Sequence, residues 1–220
     1  QDDINYSPQQ TFGAVMPGDI KYKDVNGDGI INNLDKVPLA HNDEIPLIMY
    51  GFGGQVSYKN LSLGILFKGT GSSPFFYGGI GYRPFYEGAT GNVLDIVADP
   101  SNRWIPMEYA MQNGIDPSLA ENPNAKFPRL SYGGSSNNNQ TSTFWQGDAK
   151  YIRLQEVTIN YHLNPSLFRK VGIKSMDLQF VGNNLYTWDT VKIFDPEQAR
   201  FNGRKYPIPS TYSLQVYINF

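Results

Sequence analysis

Residues 24–35 read Asp-Val-Asn-Gly-Asp-Gly-Ile-Ile-Asn-Asn-Leu-Asp, with oxygen side chains at the first, third, fifth, ninth and twelfth places of a twelve-residue loop. Calcium is a hard cation that takes about six to eight oxygens. The spacing wraps Asp24, Asn26, Asp28, the Ile30 carbonyl, Asn32 and Asp35 around one point, and Gly29 sits where the chain must turn sharply. Calcium is therefore the expected cofactor. Asp35 replaces the Glu usual at the last place, so the shorter carboxylate reaches a cation less intimately or through one oxygen. No clear amphipathic helices flank the loop, which argues against a paired EF-hand sensor. The same residues also read as a cluster of Asp, Asn and Gly turn formers that binds no metal.

The other side chains with chemical potential are aromatic. Residues 69–150 carry Phe75, Phe76, Tyr77, Tyr82, Phe85, Tyr86, Trp104, Tyr109, Phe144 and Trp145. Such rings stack on sugars or apolar side chains at low entropic cost, and Trp104, Tyr109 and Trp145 are the candidate substrate contacts. The alternative is that the rings pack the loops on themselves or form an interfacial girdle. Covalent chemistry finds little support. His41 and His162 are far apart in sequence, and neither a Gly-x-Ser-x-Gly turn nor a zinc-type His pair occurs. Asp43 with Glu44, and Asp195 with Glu197, would serve a glycosidase as acid and nucleophile, but solvated or structural loop charges are the plainer reading. No enzymatic activity is expected.

Composition narrows what must position these residues. Of 220 residues, 14% are aromatic and 17% charged, against about 25% charged in ordinary soluble domains. The 15 Tyr and 13 Phe favour β structure, and 22 Gly with 15 Pro favour turns and long loops. A net charge of −2 and the lack of any Lys/Arg run exclude a nucleic-acid surface. The lack of Cys excludes disulfides and thiolate metal sites. There is no run of about eighteen apolar residues for a transmembrane helix. A β-barrel leaves no such run, so the mean hydropathy of −0.41 does not argue against a membrane. The first residues, Gln1 to Asn5, have none of the charge and apolar core of a signal peptide.

Alternation with period two predicts strands near 51–58, 61–68, 151–162, 176–186 and 211–220. In the last, Tyr212, Leu214, Val216, Ile218 and Phe220 share one face, with Ser213, Gln215 and Asn219 on the other and Tyr217 as an exception. Lys59-Asn60 predicts a tight hairpin, and a phase flip at Gln155-Glu156 predicts a β-bulge. Connections are short on one side and long on the other, where residues 2–48, 69–150 and 187–210 lie. That asymmetry, with lipid on one face and water on the other, predicts an all-β fold of antiparallel transmembrane barrel strands bearing long extracellular loops. A soluble sandwich is the alternative, since alternation marks any half-buried strand. Five such strands cannot close a barrel, so the chain is expected to pair with another polypeptide or a further part of its own.

Several segments, in order, resemble the SusC/RagA family of TonB-linked outer-membrane transporters. Pro17, Gly18, Asp19, Ile20, Lys21 and Tyr22 lead into the Asp24 loop; Ile45-Pro46 and Tyr50-Gly51-Phe52-Gly53-Gly54 follow. Asn102-Arg103-Trp104 and the stretch from Asn122 to Leu130 resemble a second signature, separated here by residues 105–121. Tyr151-Ile152-Arg153-Leu154, Gly182-Asn183-Asn184-Leu185, Asp195-Pro196-Glu197 and Tyr206-Pro207-Ile208-Pro209 complete the series. The resemblance implies that residues 1–220 are the C-terminal portion of a twenty-two-stranded barrel, the plug and earlier strands being absent. It further implies residence in a Bacteroidetes-type Gram-negative outer membrane, TonB energisation, a SusD-like surface lipoprotein as partner, and import of oligosaccharides or peptides. The rival function is a secreted, calcium-stabilised, carbohydrate-binding β-sandwich.

Overall fold

The structure, a computed structural model, describes residues 2–39, 46–86, 91–201 and 203–220. His41, Asp43 and Glu44 lie outside the described residues. The chain divides into two compact units, one of Gln1–His41 with Phe76–Gln146, the other of Asn42–Phe75 with Gly147–Phe220.

The second unit is a five-stranded antiparallel sheet. Its strands are β1 (Met49–Tyr58), β2 (Leu61–Thr70), β3 (Tyr151–Leu163), β4 (Ser175–Asp189) and β5 (Thr211–Asn219), hydrogen-bonded in chain order. Lys59, with φ of 53°, carries the left-handed turn of the β1–β2 hairpin. In β3, Leu154 pairs with Phe67 and Glu156 with Leu66, leaving Gln155 as the extra residue of a bulge. The bulge lets Ile152 and Leu154 share a face with Val157, Ile159 and Tyr161. β4 runs three residues beyond Tyr186, because the alternation continues through Trp188.

Cross-strand registers sort the side chains into two faces. Phe52 opposes Phe67, Phe67 opposes Leu154, and Leu154 opposes Tyr186. Two rows on, Val56, Leu63, Ile159, Phe180 and Leu214 form a continuous apolar line across all five strands. The opposite face carries Ser57, Ser62, Asn160, Gln179 and Gln215 in one row. Tyr217, the exception to the alternation of β5, lies on this polar face, where its hydroxyl meets Gln179 Oε1 at 3.0 Å. An amphipathic ring thus keeps its polar tip among polar partners.

Among its described residues the first unit has little regular structure: a two-residue parallel pair (Gln9–Gln10 with Ile30–Ile31), short α-helices at Asp2–Asn5, Asp95–Ala98 and Met107–Gln112, and single 3-10 turns. Ile31, Val97, Ile105, Ala110 and Trp145 are nonetheless buried. Much of residues 2–48 and 69–150, expected from sequence to be external loops, therefore forms a unit with its own core.

Candidate functional site

The sheet's apolar face crosses all five strands. Every residue of β1 and β5 is exposed, and Leu214 is 74% and Val56 63% exposed. A soluble sandwich buries such a face beneath a second sheet; this one is bare. Many of its aromatic residues gather at its two ends. At the end with long connections, Phe52 stacks on Phe67 with centroids 5.2 Å apart, Phe67 meets Trp188 at 6.4 Å, and Trp188 meets Tyr186 at 4.7 Å. At the hairpin end are Tyr58 and Tyr161, both aligned with Leu61 in register. The rows between are mainly aliphatic, with Phe180 stacked on Tyr212 at 6.3 Å. The arrangement is an apolar belt with rings gathered towards both ends, where amphipathic rings meet the two interfaces of a bilayer.

One close approach orders the rings at the end with long connections. Gly69 lies beneath the Tyr50 ring, and a Cβ there would come within 2.6 Å of Tyr50 Cζ. The Tyr50 hydroxyl donates to the Tyr151 carbonyl at 3.1 Å. Only glycine leaves room for a ring lying across β2 to reach β3.

On the polar face, at the same end, Lys68, Arg153 and Thr187 form a cross-strand row. Arg153 is 1% exposed. Its Nε donates to Thr187 Oγ1 at 2.9 Å and its Nη2 to Asp195 Oδ2 at 2.6 Å. Its Nη1 lies 3.2 Å from Glu197 Oε1, a charge contact without hydrogen-bond alignment. Lys68 Nζ reaches the same Oε1 at 2.8 Å, and the Tyr151 hydroxyl donates to it at 2.7 Å. Burial would raise the Glu197 carboxyl, but Lys68, Tyr151 and Arg153 outweigh it and hold the group below the ordinary glutamate range. Asp195 and Glu197 are therefore partners of a buried guanidinium, which favours the structural reading over the glycosidase one.

In the first unit, the Asp24 loop is braced from within. Asp24 accepts from the amides of Gly27 at 2.7 Å and Gly29 at 2.9 Å, Asn26 Oδ1 from Asp28 N, and Asp28 Oδ1 from Ile30 N. Asp35 closes the ends together, accepting from Val25 N through Oδ1 and from Asn32 N through Oδ2. Amide hydrogen bonds, from Asn32 first and then Val25 and Asn26, hold the Asp35 carboxyl below its usual range. Gly27 and Gly29 take positive φ of 78° and 82°, as a loop coiled this tightly requires. Among the described residues, no three His, Cys, Asp or Glu side chains converge as a metal cage. The loop is curled, its side-chain oxygen atoms accepting from its own amides.

Beside it, the side chain of Asp19 is wholly buried. It accepts from Met16 N at 2.8 Å, Asn138 Nδ2 at 2.8 Å and Arg129 Nη2 at 3.1 Å. Gly18, with φ of 86°, lies under the Trp104 indole, and its carbonyl accepts from Arg129 N at 2.9 Å. Three segments singled out in the sequence, at 17–22, 102–104 and 127–130, thus meet in one place. Trp104 also forms part of the wall of a cavity of about 570 Å³ with Gln9, Met16, Gly18 and Lys21.

The three aromatic candidates diverge. Trp104 borders the cavity and Tyr109 is 43% exposed on its helix. Trp145 is 3% exposed, and its indole N–H donates to the Asn138 carbonyl at 2.7 Å, so it packs the core. Other rings pair with one another: Tyr77 with Tyr82, Phe85 with Tyr132, Phe144 with Trp145. His162 pairs with Asp177 on the polar face of the sheet. Sequence reading missed the convergence on Arg153, because neither Lys68 nor Thr187 is near it in sequence. The only signal was the pair of short motifs at 151–154 and 195–197.

No protein-family model matches the chain. In sequence it is 28% identical to the TonB-dependent receptor P26 of Formosa agariphila over 215 residues, which cover 92% of this chain and 20% of that protein. It is 25% identical to the TonB-dependent receptor P3 of the same organism, over 84% of this chain and 16% of that protein. The chain thus spans about a fifth of the curated relatives' length. In fold it is similar to the RagAB peptide importer in its closed-closed state, with a TM-score of 0.57 and 21% identity over 88% of this chain and 20% of that one. The open-open state gives a TM-score of 0.54 and 22% identity, over 80% of this chain and 17% of that one. These are receptors and importers by name, not enzymes, in keeping with the expectation of no catalysis. The chain is thus similar in sequence to part of two TonB-dependent receptors and in fold to part of the RagAB peptide importer, and its partial coverage fits the C-terminal part of such an outer-membrane transporter.

Proposed function

We propose that the chain supplies lipid-facing strands and external segments to a TonB-dependent importer of the SusC type. The observation that carries this reading is the two-faced sheet, exposed, apolar and rich in aromatics on one side and polar on the other. β1 and β5 are the edges of the sheet. In lipid an unpaired edge costs several kcal/mol per backbone group, so both edges pair with strands from the rest of the full-length protein to close a large barrel of the twenty-two-stranded kind. The relatives' greater length leaves room for those strands and for a plug that engages TonB. A SusD-like lipoprotein would cap the external side, and oligosaccharides or peptides would be the cargo. RagAB is by name a peptide importer, whereas the aromatic segments here suit either class. Affinity purification of the full-length protein from outer membranes, followed by calorimetry of the complex with oligosaccharides and peptides, tests this. The reading expects a co-purifying surface lipoprotein and uptake of one class; a lone protein that binds neither contradicts it.

Calcium belongs to the same proposal. The donor set of Asp24, Asn26, Asp28, the Ile30 carbonyl, Asn32 and Asp35 is all oxygen, as a hard cation requires, and carboxylate oxygens engaged with amides keep a further lone pair for a metal. Binding would stiffen the loop rather than perform chemistry. Titration calorimetry should show calcium uptake that Asp24→Ala abolishes, and chelation should speed proteolysis within 24–35. No uptake, with unchanged proteolysis, removes calcium from the account.

A further inference from the structure

We infer that residues 195–201 form a strap latched over the polar face of the sheet by Arg153, and that the strap releases as a unit while the strands beneath stay paired. The contacts that hold it are concentrated to an unusual degree. A single atom, Glu197 Oε1, receives the Tyr151 hydroxyl at 2.7 Å, Lys68 Nζ at 2.8 Å and Arg153 Nη1 at 3.2 Å. Asp195 Oδ2 takes the Arg153 Nη2 at 2.6 Å. These groups come from β2, β3 and the strap, while Thr187 of β4 fixes the third face of the guanidinium.

The strap is also organised independently of the sheet. Gln198 N donates to the Asp195 carbonyl at 2.8 Å and Glu197 N to Asp195 Oδ1 at 3.0 Å, so Asp195 caps its own turn while gripping Arg153. Gln198 Nε2 donates to the Tyr206 carbonyl at 2.6 Å, drawing the returning chain onto the same turn. The turn Pro196–Phe201 can therefore leave as one element, and a turn this short, freed of its anchors, frays, which opens its amides to exchange. Strand pairing of β3 with β2 and β4 uses none of these groups' backbones from the strap. Burial of Pro196, Gln198 and Ala199 packs the strap down, and a knot of charge whose members depend on one another fastens it, so removing one carboxylate weakens the latch.

Release has a chemical consequence. It uncovers two cations, Lys68 and Arg153, and the Tyr151 hydroxyl on the polar face; closure covers them with the strap's own carboxylates. The charged and titratable groups in the neighbourhood are Lys68 on β2, Tyr151 and Arg153 on β3, Asp189 on β4, and Asp195, Glu197 and Arg200 on the strap. Asp189 is engaged elsewhere, accepting from Lys192 N at 2.8 Å. Loss of charge at Glu197, whose Oε1 is shared by Lys68, Tyr151 and Arg153, is thus the step that loosens the latch. This inference stands apart from the import reading, because it concerns a contact within the second unit whatever the cargo.

Hydrogen exchange of the purified full-length protein in detergent, read by mass spectrometry, tests it. At pH 7, Glu197→Gln and Asp195→Asn should each raise exchange of the 197–201 amides about tenfold or more, with β3 and β4 unchanged. Wild-type protein taken stepwise from pH 7 down past the ordinary glutamate range, corrected for intrinsic exchange, should lose the same local protection progressively. Exchange at 197–201 that neither substitution nor acid alters overturns the latch. Equal acceleration of β3 and β4 overturns it too, since the cluster would then serve general stability. If neither variant folds, the wild-type acid series decides alone.

Discussion

At Asp19 one buried carboxylate receives a backbone amide, an asparagine amide and an arginine, and thereby joins chain segments more than a hundred residues apart. Removing one partner leaves charge buried without compensation, which costs about 3–5 kcal/mol. Arg129→Met should therefore loosen residues 16–22 and 127–130 together, as local exchange rates would report; an unchanged protein would show the pair to be incidental. Tyr22, nearby, gives a prediction in pH. Burial pushes its phenol up to about 12, partly offset by the Ser142 hydroxyl and Arg83. A raised phenol favours folding while it stays protonated, so the stability it contributes is full below pH 10 and lost as pH rises through about 12. Alkaline titration followed by Tyr absorbance, with Tyr22→Phe as control, checks this. Sequence pattern marked the Asp24 loop, because its ligand-type residues are contiguous and regularly spaced. It could not mark Asp19 or Arg153 as hubs, since their partners come together only through the fold.

Among the elements, the strands were the most legible, because a half-exposed strand alternates with period two and the bulge leaves a phase flip at Gln155. The long segments were illegible for the complementary reason. Their unit is built on side-chain hydrogen bonds from Asn137, Asn138, Gln10 and Asp19 to backbone, such as Asn137 Nδ2 to the Ile20 carbonyl at 2.9 Å, and such bonds have no period. Two consequences belong to this scale. Gly69→Val must displace the Tyr50 ring, breaking its bond to the Tyr151 carbonyl, and should destabilise the β1–β2 edge by about 1–3 kcal/mol. Gly69→Val with Tyr50→Ala should recover part of that loss in a double-mutant cycle, and full additivity would contradict the contact. The strap's acid response also has a definite direction. Glu197 is held below its ordinary range, so its contribution is present above the unfolded value near 4.3 and is lost as pH falls through the lower folded value.

At the scale of the molecule, the central claim is that one face of the sheet meets lipid and the other does not. β5 states it most simply, for its side chains alternate without interruption from Tyr212 to Val216 and all are exposed. The chain has no Cys of its own, so single cysteines introduced along β5 report without interference from it. The decisive measurement places a fluorophore at residue 212, 213, 214, 215 or 216 of the full-length protein in liposomes and adds lipid carrying a bromine quencher in its acyl chains. The account predicts strong quenching at 212, 214 and 216 and little at 213 and 215. Equal quenching at all five positions, or none at 214, would contradict it.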